Sequence, residues 1–252
     1  MKTIALRNLQ IGRGCPKIIV PIVESSMEGI IAMGKSLAGI GPDAVEWRAD
    51  YYDGIEDEGA VLAALKGLRL ALGDIPLIFT CRTAKEGGRA NITEEKYALL
   101  NRAVLCSGHA DAVDIEALSH ERGEGLISEI RKAGQVSIGS CHITDRTPCK
   151  EETMNILRAI QDTGADITKL AVMAENYDDA FTLMLAAREA KKQGAGPIIA
   201  IAMGEPGIIS RILAEMTGSA AVFASVGRSS APGQLSLGAM KEILKTVHEN
   251  IG

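Results

Sequence analysis

The stretch Asp166-Ile-Thr-Lys-Leu-Ala-Val-Met173 reads as a buried strand with one lysine in its middle. Lysine is almost never fully buried without a partner, and removal from water favours its uncharged amine, which is a nucleophile. In a closed parallel barrel the strands carry apolar runs, and reactive groups project at their C-terminal ends. Lys169 in such a run therefore points to imine formation with a carbonyl compound. A plainer reading competes with it: a lysine snorkelling from a strand end, or one held by a structural ion pair.

Seven other segments share the strand character. The first is Lys17-Ile-Ile-Val-Pro-Ile-Val23, then come 44–48, 77–82, 112–116, 136–142, 197–203 and 221–225, and 167–172 completes eight. Helical periodicity fills the gaps, first up to about Ala38, then over 58–72, 93–106, 121–133, 148–163, 177–193, 206–217 and 233–249. Ser25-Ser-Met-Glu28 has capping-box spacing for the first helix, and Thr147-Pro148 places a capping hydroxyl and a proline at another start. Ahead of this pattern, Thr3-Ile-Ala-Leu6 and Ile11-Gly-Arg-Gly14 predict an opening hairpin turned at its glycines. Strand alternates with helix throughout, with no linker or low-complexity tract and no glycine fingerprint after the first strand. The expectation is an α/β fold, one (β/α)8 TIM barrel over residues 1–252 behind an N-terminal β-hairpin, and not an open doubly wound sheet.

The length of 252 residues suits one such barrel. Lys and Arg total 27 against 32 Asp and Glu, a net charge of −5, with no basic stripe for nucleic acid. No segment approaches the roughly 20 apolar residues of a membrane span, and the opening residues lack a signal-peptide core, so a cytoplasmic protein is expected. The five cysteines (Cys15, Cys81, Cys106, Cys141, Cys149) form no Cys-x-x-Cys pair and fit reduced thiols. Cys141 adjoins His142, but strand neighbours point to opposite faces, so it reads as a small strand residue outside the histidine's site.

In a barrel, polar groups at strand C-terminal ends share one mouth. Glu46 and Arg48 lie two apart, on one face of the second strand, where they can pair or bind hydroxyls; a structural ion pair is equally open. The third strand ends in Phe-Thr-Cys-Arg82, and Glu86-Gly-Gly88 follows, with glycines that let the loop turn Glu86 back over the mouth. His142 ends the fifth strand. His109 falls in a loop, His120 at a helix start and His248 in the last helix, which leaves His142 to reach the mouth and suits it to proton transfer. Gly204-Glu-Pro-Gly-Ile-Ile-Ser-Arg211 and Ser230-Ala-Pro-Gly-Gln234 follow the last two strands, where barrels commonly hold anionic groups; both also read as helix caps.

Taken together, Arg7-Asn-Leu, Glu46-Trp-Arg48, Phe79-Thr-Cys-Arg82 with Glu86-Gly-Gly88, His142 with Thr147-Pro148, Ala165-Asp-Ile-Thr-Lys169, Ile209-Ser-Arg211 and Ser230-Ala-Pro-Gly-Gln234 closely resemble type I 3-dehydroquinate dehydratases. The resemblance covers nearly the whole chain. It implies that Lys169 forms the imine, His142 is the general acid and base, and Glu86 orients it. Arg211 would hold the substrate carboxylate, while Glu46, Arg48, Arg82, Ser230 and Gln234 contact hydroxyls or close the lid. It further implies the conversion of 3-dehydroquinate to 3-dehydroshikimate in the shikimate pathway, no metal or organic cofactor, and a homodimer.

Two departures stand out. The family usually has Asp or Asn and then Phe after the histidine, where this chain has Ile143-Thr144, and Ala174 replaces a usual proline. A class I aldolase shares the barrel and the lysine imine, and a metabolite sensor would keep the pocket without turnover. The arginines and hydroxyl-binding groups argue against the aldolase, and only Ile143-Thr144 hints at the sensor.

Overall fold

The computed structural model describes residues 2–119, 123–227 and 230–251. His120 and the first two residues of the helix expected at 121–133 lie outside the described residues. The strands are β1 (Ile4–Leu6), β2 (Leu9–Ile11), β3 (Lys17–Ile22), β4 (Ala44–Arg48), β5 (Leu77–Thr80), β6 (Ala112–Glu116), β7 (Val136–Ile143), β8 (Ile167–Met173), β9 (Ile198–Met203) and β10 (Ala221–Phe223). β1 and β2 pair antiparallel, and the other eight form one parallel sheet in the order β10-β3-β4-β5-β6-β7-β8-β9. The sheet nearly closes on itself: Ile198 bridges Ser219, and the Ala220 amide donates to the Ile198 carbonyl at 2.6 Å. The expected TIM barrel and N-terminal hairpin are both present.

The period of two along each strand decides what the barrel contains. Ile19, Ala44, Ile78, Ala112, Ile138, Ile167 and Ile199 pack as an apolar layer inside, and Leu6 and Ile11 of the hairpin pack against it. Two residues further along, five strands point inward with Glu46, Thr80, Asp114, Ser140 and Lys169, all buried. The alternate positions, among them Val45, Trp47, Phe79, Val113 and Ile115, face outward and form a second core with the helices. The same alternation thus builds an oily floor, a polar middle and a helix-facing exterior.

The main helices are α1 (Met27–Ile40), α2 (Glu58–Leu72), α3 (Glu94–Ser107), α4 (Gly123–Lys132), α5 (Lys150–Asp162) and α6 (Tyr177–Lys192), then short α7 (Ile208–Ile212) and α8 (Ala214–Thr217), and finally α9 (Leu237–Ile251). Several local expectations need correction. The hairpin turns at Arg7, with φ of 54°, and its glycines follow the second strand. The first helix is capped by Ser26, whose hydroxyl accepts from Gly29 N, so Glu28 does not complete a box with Ser25. Thr147 donates to the Met173 carbonyl and does not cap α5, which starts after Cys149. The helix expected over 206–217 breaks at Leu213, and the last one starts at 237, since Gly233 is left-handed at φ 78°.

Candidate active site

At the C-terminal ends of the strands the polar layer opens into a cavity of about 260 Å³. Glu46, Arg48, Arg82, Glu86, His142, Lys169, Arg211, Ser230 and Gln234 all line it. The fold therefore brings together all nine residues singled out in the sequence. Cys141 faces away from it toward the helices, as expected for a strand neighbour of His142, and burial pushes its thiol up to about 12.

Lys169 is 4 % exposed but not alone. Its Nζ lies 3.1 Å from Glu46 Oε1 and 2.9 Å from Asp114 Oδ2, and 4.8 Å from the centre of the Phe223 ring. Of the readings its strand left open, the ion pair is present: two carboxylates offset the burial of the amine. Glu46 also accepts from Thr80 Oγ1 at 2.9 Å. Arg48 pairs with Asp50 by two hydrogen bonds, 2.7 and 2.8 Å, and not with Glu46. The physical reason is local: the chain leaves β4 into a single 3-10 turn, Ala49–Tyr51, which folds Asp50 against the guanidinium.

Arg82 is the hub of the polar layer. Its guanidinium contacts Asp114 at 2.6 Å, and Glu86 and Glu116 at 3.2 Å each, and it donates to Ser140 Oγ at 3.1 Å. Glu116 in turn accepts from the Thr83 amide and hydroxyl, each at 2.7 Å. Asp114, Glu116, Ser140, Thr80 and Asp50 were not singled out in the sequence. A signal existed in Ala112-Val-Asp-Ile-Glu116, where two carboxylates alternate with apolar residues in a strand flanked by buried strands. Burial alone would raise the Asp114 carboxyl, but the charges of Arg82 and Lys169 and the Ser140 hydrogen bond hold it well below the usual carboxylate range.

Glu86 arrives on a 3-10 turn, Ala84–Glu86, and is itself buried. Gly88 makes the return possible, because a Cβ there would sit 2.1 Å from the Arg82 carbonyl oxygen. Glu86 Oε2 lies 2.8 Å from His142 Nδ1, and Ser119 Oγ donates to Oε1. Burial raises the Glu86 carboxyl to about 7, with Glu116 and Asp114 adding to it and Arg82 and Ser119 opposing. His142 moves the other way, well below its usual value, through burial first and then the charges of Arg82 and Lys169, against the pull of Asp114. A neutral His142 donating Nδ1–H to Glu86 would leave Nε2 as a base.

At the other wall Arg211 is buried, with Nη1 donating to the carbonyls of Ala202 at 2.9 Å and Gly207 at 3.2 Å. Its Nε is buried without a partner, and among the described residues no carboxylate pairs with it. Burial lowers its guanidinium to about 10. A buried cation with only carbonyl partners can accept an anion. Nearby, Ser230 and Gln234 bond each other through Gln234 Nε2 to Ser230 Oγ at 3.0 Å, and the Ser230 amide donates to Gln234 Oε1 at 3.2 Å. Thr144 also lines the cavity, whereas Ile143 packs outward. At the other departure, the Ala174 amide donates to the Met203 carbonyl at 3.0 Å, a bond that a proline could not make.

Residues 18–251 match the type I 3-dehydroquinase family. The chain belongs to this enzyme family. Its relatives include the 3-dehydroquinate dehydratase of Bacillus licheniformis, 39 % identical over 252 residues and 99 % of each chain. A crystal structure of the type I 3-dehydroquinate dehydratase from Clostridium difficile, with covalently modified comenic acid, superposes with a TM-score of 0.95 at 35 % identity, covering 99 % of both chains. That of 3-dehydroquinate dehydratase from Geobacillus kaustophilus gives 0.96 at 34 % identity, over 100 % of this chain and 98 % of the other. The family inferred from the motifs is the one found.

Proposed function

We propose that residues 1–252 act as one catalytic barrel that dehydrates 3-dehydroquinate to 3-dehydroshikimate through an imine on Lys169. The observation that carries the reading is the composition of this cavity: the Lys169 amine and the Glu86–His142 pair share it with Arg211, a buried guanidinium without a carboxylate partner among the described residues. Covalently modified comenic acid in the Clostridium difficile relative supports a covalent step in this barrel.

The steps follow from the groups. The Lys169 ammonium, paired with Glu46 and Asp114, first gives up a proton; its amine adds to the ring ketone, and that proton goes to the carbinolamine oxygen as water leaves, giving a protonated imine. That electron sink acidifies the neighbouring CH₂, from which His142 removes a proton to give an enamine. The enamine expels the hydroxyl on the next carbon, and His142 returns the proton to the leaving oxygen as water departs. Hydrolysis of the remaining imine frees product and amine. Glu86 fixes the imidazole tautomer and balances its charge when protonated. Glu46, Arg48, Arg82, Ser230 and Gln234 contact hydroxyls or close over the bound ring. The deciding assay is the ultraviolet absorbance of the conjugated acid formed from 3-dehydroquinate; release of a smaller carbonyl fragment, or binding without turnover, would overturn the reading.

We assign the substrate carboxylate to Arg211, because Asp50 already occupies Arg48 and three carboxylates surround Arg82. Charged hydrogen bonds of this kind are worth about 1.5 to 3 kcal/mol, so Arg211→Ala is expected to weaken 3-dehydroquinate binding by roughly 10- to 100-fold. Titration calorimetry checks it. Near-normal affinity for 3-dehydroquinate alongside weaker binding of a decarboxylated analogue would move the contact elsewhere.

The protein is proposed to work in the cytoplasm as a homodimer. No helix among the described residues is long and apolar enough to cross a membrane. Tyr177, Phe181 and Leu185, spaced by four on α6, are exposed, and such an apolar stripe supports self-association. Phe181→Asp is expected to shift sedimentation from dimer to monomer; an unchanged dimer would exclude this face.

A further inference from the structure

Ser119 lies just beyond β6, outside the cavity lining and 33 residues from Glu86 in sequence. Its hydroxyl donates to Glu86 Oε1, the oxygen turned away from the histidine. The other oxygen, Oε2, faces His142 Nδ1 at 2.8 Å and Arg82 Nη1 at 3.2 Å. Among the described residues Ser119 is the one side chain that donates to Oε1. The arrangement matters because a glutamate carboxylate rotates easily about its last bond. Glu86 also sits on a short turn, so its own backbone fixes it only through that loop.

We infer that Ser119 is a positioning residue for the proposed proton transfer, locking the Glu86 carboxylate so that Oε2 stays on His142 Nδ1 and the imidazole keeps its Nε2 lone pair toward the cavity. This rests on the reading of Glu86 and His142 given above. The hydroxyl acts through the carboxylate and does not touch substrate. It ties a residue from the β5 loop to the end of β6, so the histidine of β7 is oriented by elements on two neighbouring strands. The bond also favours the ionised carboxylate, because a hydroxyl donor stabilises the charged acceptor.

The charged groups around the pair set the direction of the effect. Arg82, Glu116 and Asp114 face Glu86, and Arg82, Lys169, Asp114 and Arg48 face His142. Removing the Ser119 donor leaves all of them in place and takes away one interaction that holds the Glu86 carboxyl down. More of Glu86 is then protonated near neutrality, and a protonated carboxyl no longer demands a proton from Nδ1. The acidic limb of the turnover profile should therefore move to higher pH. Losing one hydrogen bond to a charged group corresponds to a shift of about one unit.

The test is the pH dependence of kcat and KM for 3-dehydroquinate in Ser119→Ala, Ser119→Thr and Glu86→Gln, and in the double variant Ser119→Ala/Glu86→Gln. In Ser119→Ala, kcat is expected to fall roughly three- to tenfold at pH 7 and to recover toward pH 9, with KM nearly unchanged. Ser119→Thr, which keeps the hydroxyl, should restore the profile. In the Glu86→Gln background the serine change should add little, since the two act on one carboxylate. An unchanged profile in Ser119→Ala, or a loss that is equal at every pH and not rescued by threonine, overturns the inference. Those outcomes leave the wider reading standing if Glu86→Gln is itself impaired. Wild-type behaviour of Glu86→Gln would instead overturn the role given to the Glu86–His142 pair.

Discussion

Borohydride added with 3-dehydroquinate is expected to fix a reduced adduct on one residue, Lys169, visible in the intact mass and located by peptide mapping. Lys169→Ala should lose both the adduct and turnover, the latter by on the order of 10⁴-fold or more, as when a nucleophile is removed from a catalytic unit. The substitution also leaves the carboxylates of Glu46 and Asp114 without the ammonium that both contact. Lys169→Arg separates the two effects, since guanidinium keeps the charge but is too basic to lose its proton and form an imine. Arg at this position should be folded by near-ultraviolet circular dichroism and inactive. Turnover without labelling, or an adduct on another lysine, would end the imine assignment.

Much of this was legible in the chain because the barrel converts a period of two into a layer. Lys169 stood out as a lone cation in an apolar run, His142 as a histidine at a strand end, and Glu46 and Arg48 as same-face neighbours. What escaped was pairing across the barrel. Arg82 reads as a guanidinium at the end of the third strand, yet its partners Asp114 and Glu116 lie 32 and 34 residues away, and Ser119 is 33 from Glu86. Spacing within one strand cannot reveal contacts set by the closure and stagger of the ring. Strand ends escaped for a related reason: the expected strand runs on through Cys81 and Arg82, but the ladder stops at Thr80, and the Arg82 amide turns to Asp50 at 3.4 Å. The break in the helix expected over 206–217 similarly has no glycine or proline at Leu213 to announce it.

The polar layer also accounts for how a fold tolerates so many buried charges. Each inward carboxylate meets a cation: Glu46 and Asp114 meet Lys169, while Asp114, Glu116 and Glu86 meet Arg82. Removing one member would leave others uncompensated, which is the costly case for buried ions. Arg211 differs among the described residues: it is a buried cation that bonds carbonyls and pairs with no carboxylate, the observation on which its proposed role rests.

His142→Ala is expected to uncouple imine formation from elimination. The attack uses the Lys169 amine, so the adduct should still form, but proton removal and return should slow by about 10² to 10⁴-fold, the usual contribution of a positioned acid or base. The adduct therefore accumulates, and mass spectrometry of the unreduced protein during turnover reads it directly. The pH profile distinguishes a chemical role from a merely structural one. With His142 held neutral by burial and by the charges of Arg82 and Lys169, and Glu86 raised to about 7, wild-type turnover should rise through neutrality as Glu86 ionises. Glu86→Gln should slow turnover and flatten that rise. Ile143→Asn should do little, because Ile143 packs against the helices and not in the cavity, so the altered flank does not replace Glu86 as the support of the imidazole. If His142→Ala turned over at the wild-type rate, the base would have to lie elsewhere, with Glu86 the first candidate, since its carboxylate lines the same cavity as the Lys169 amine.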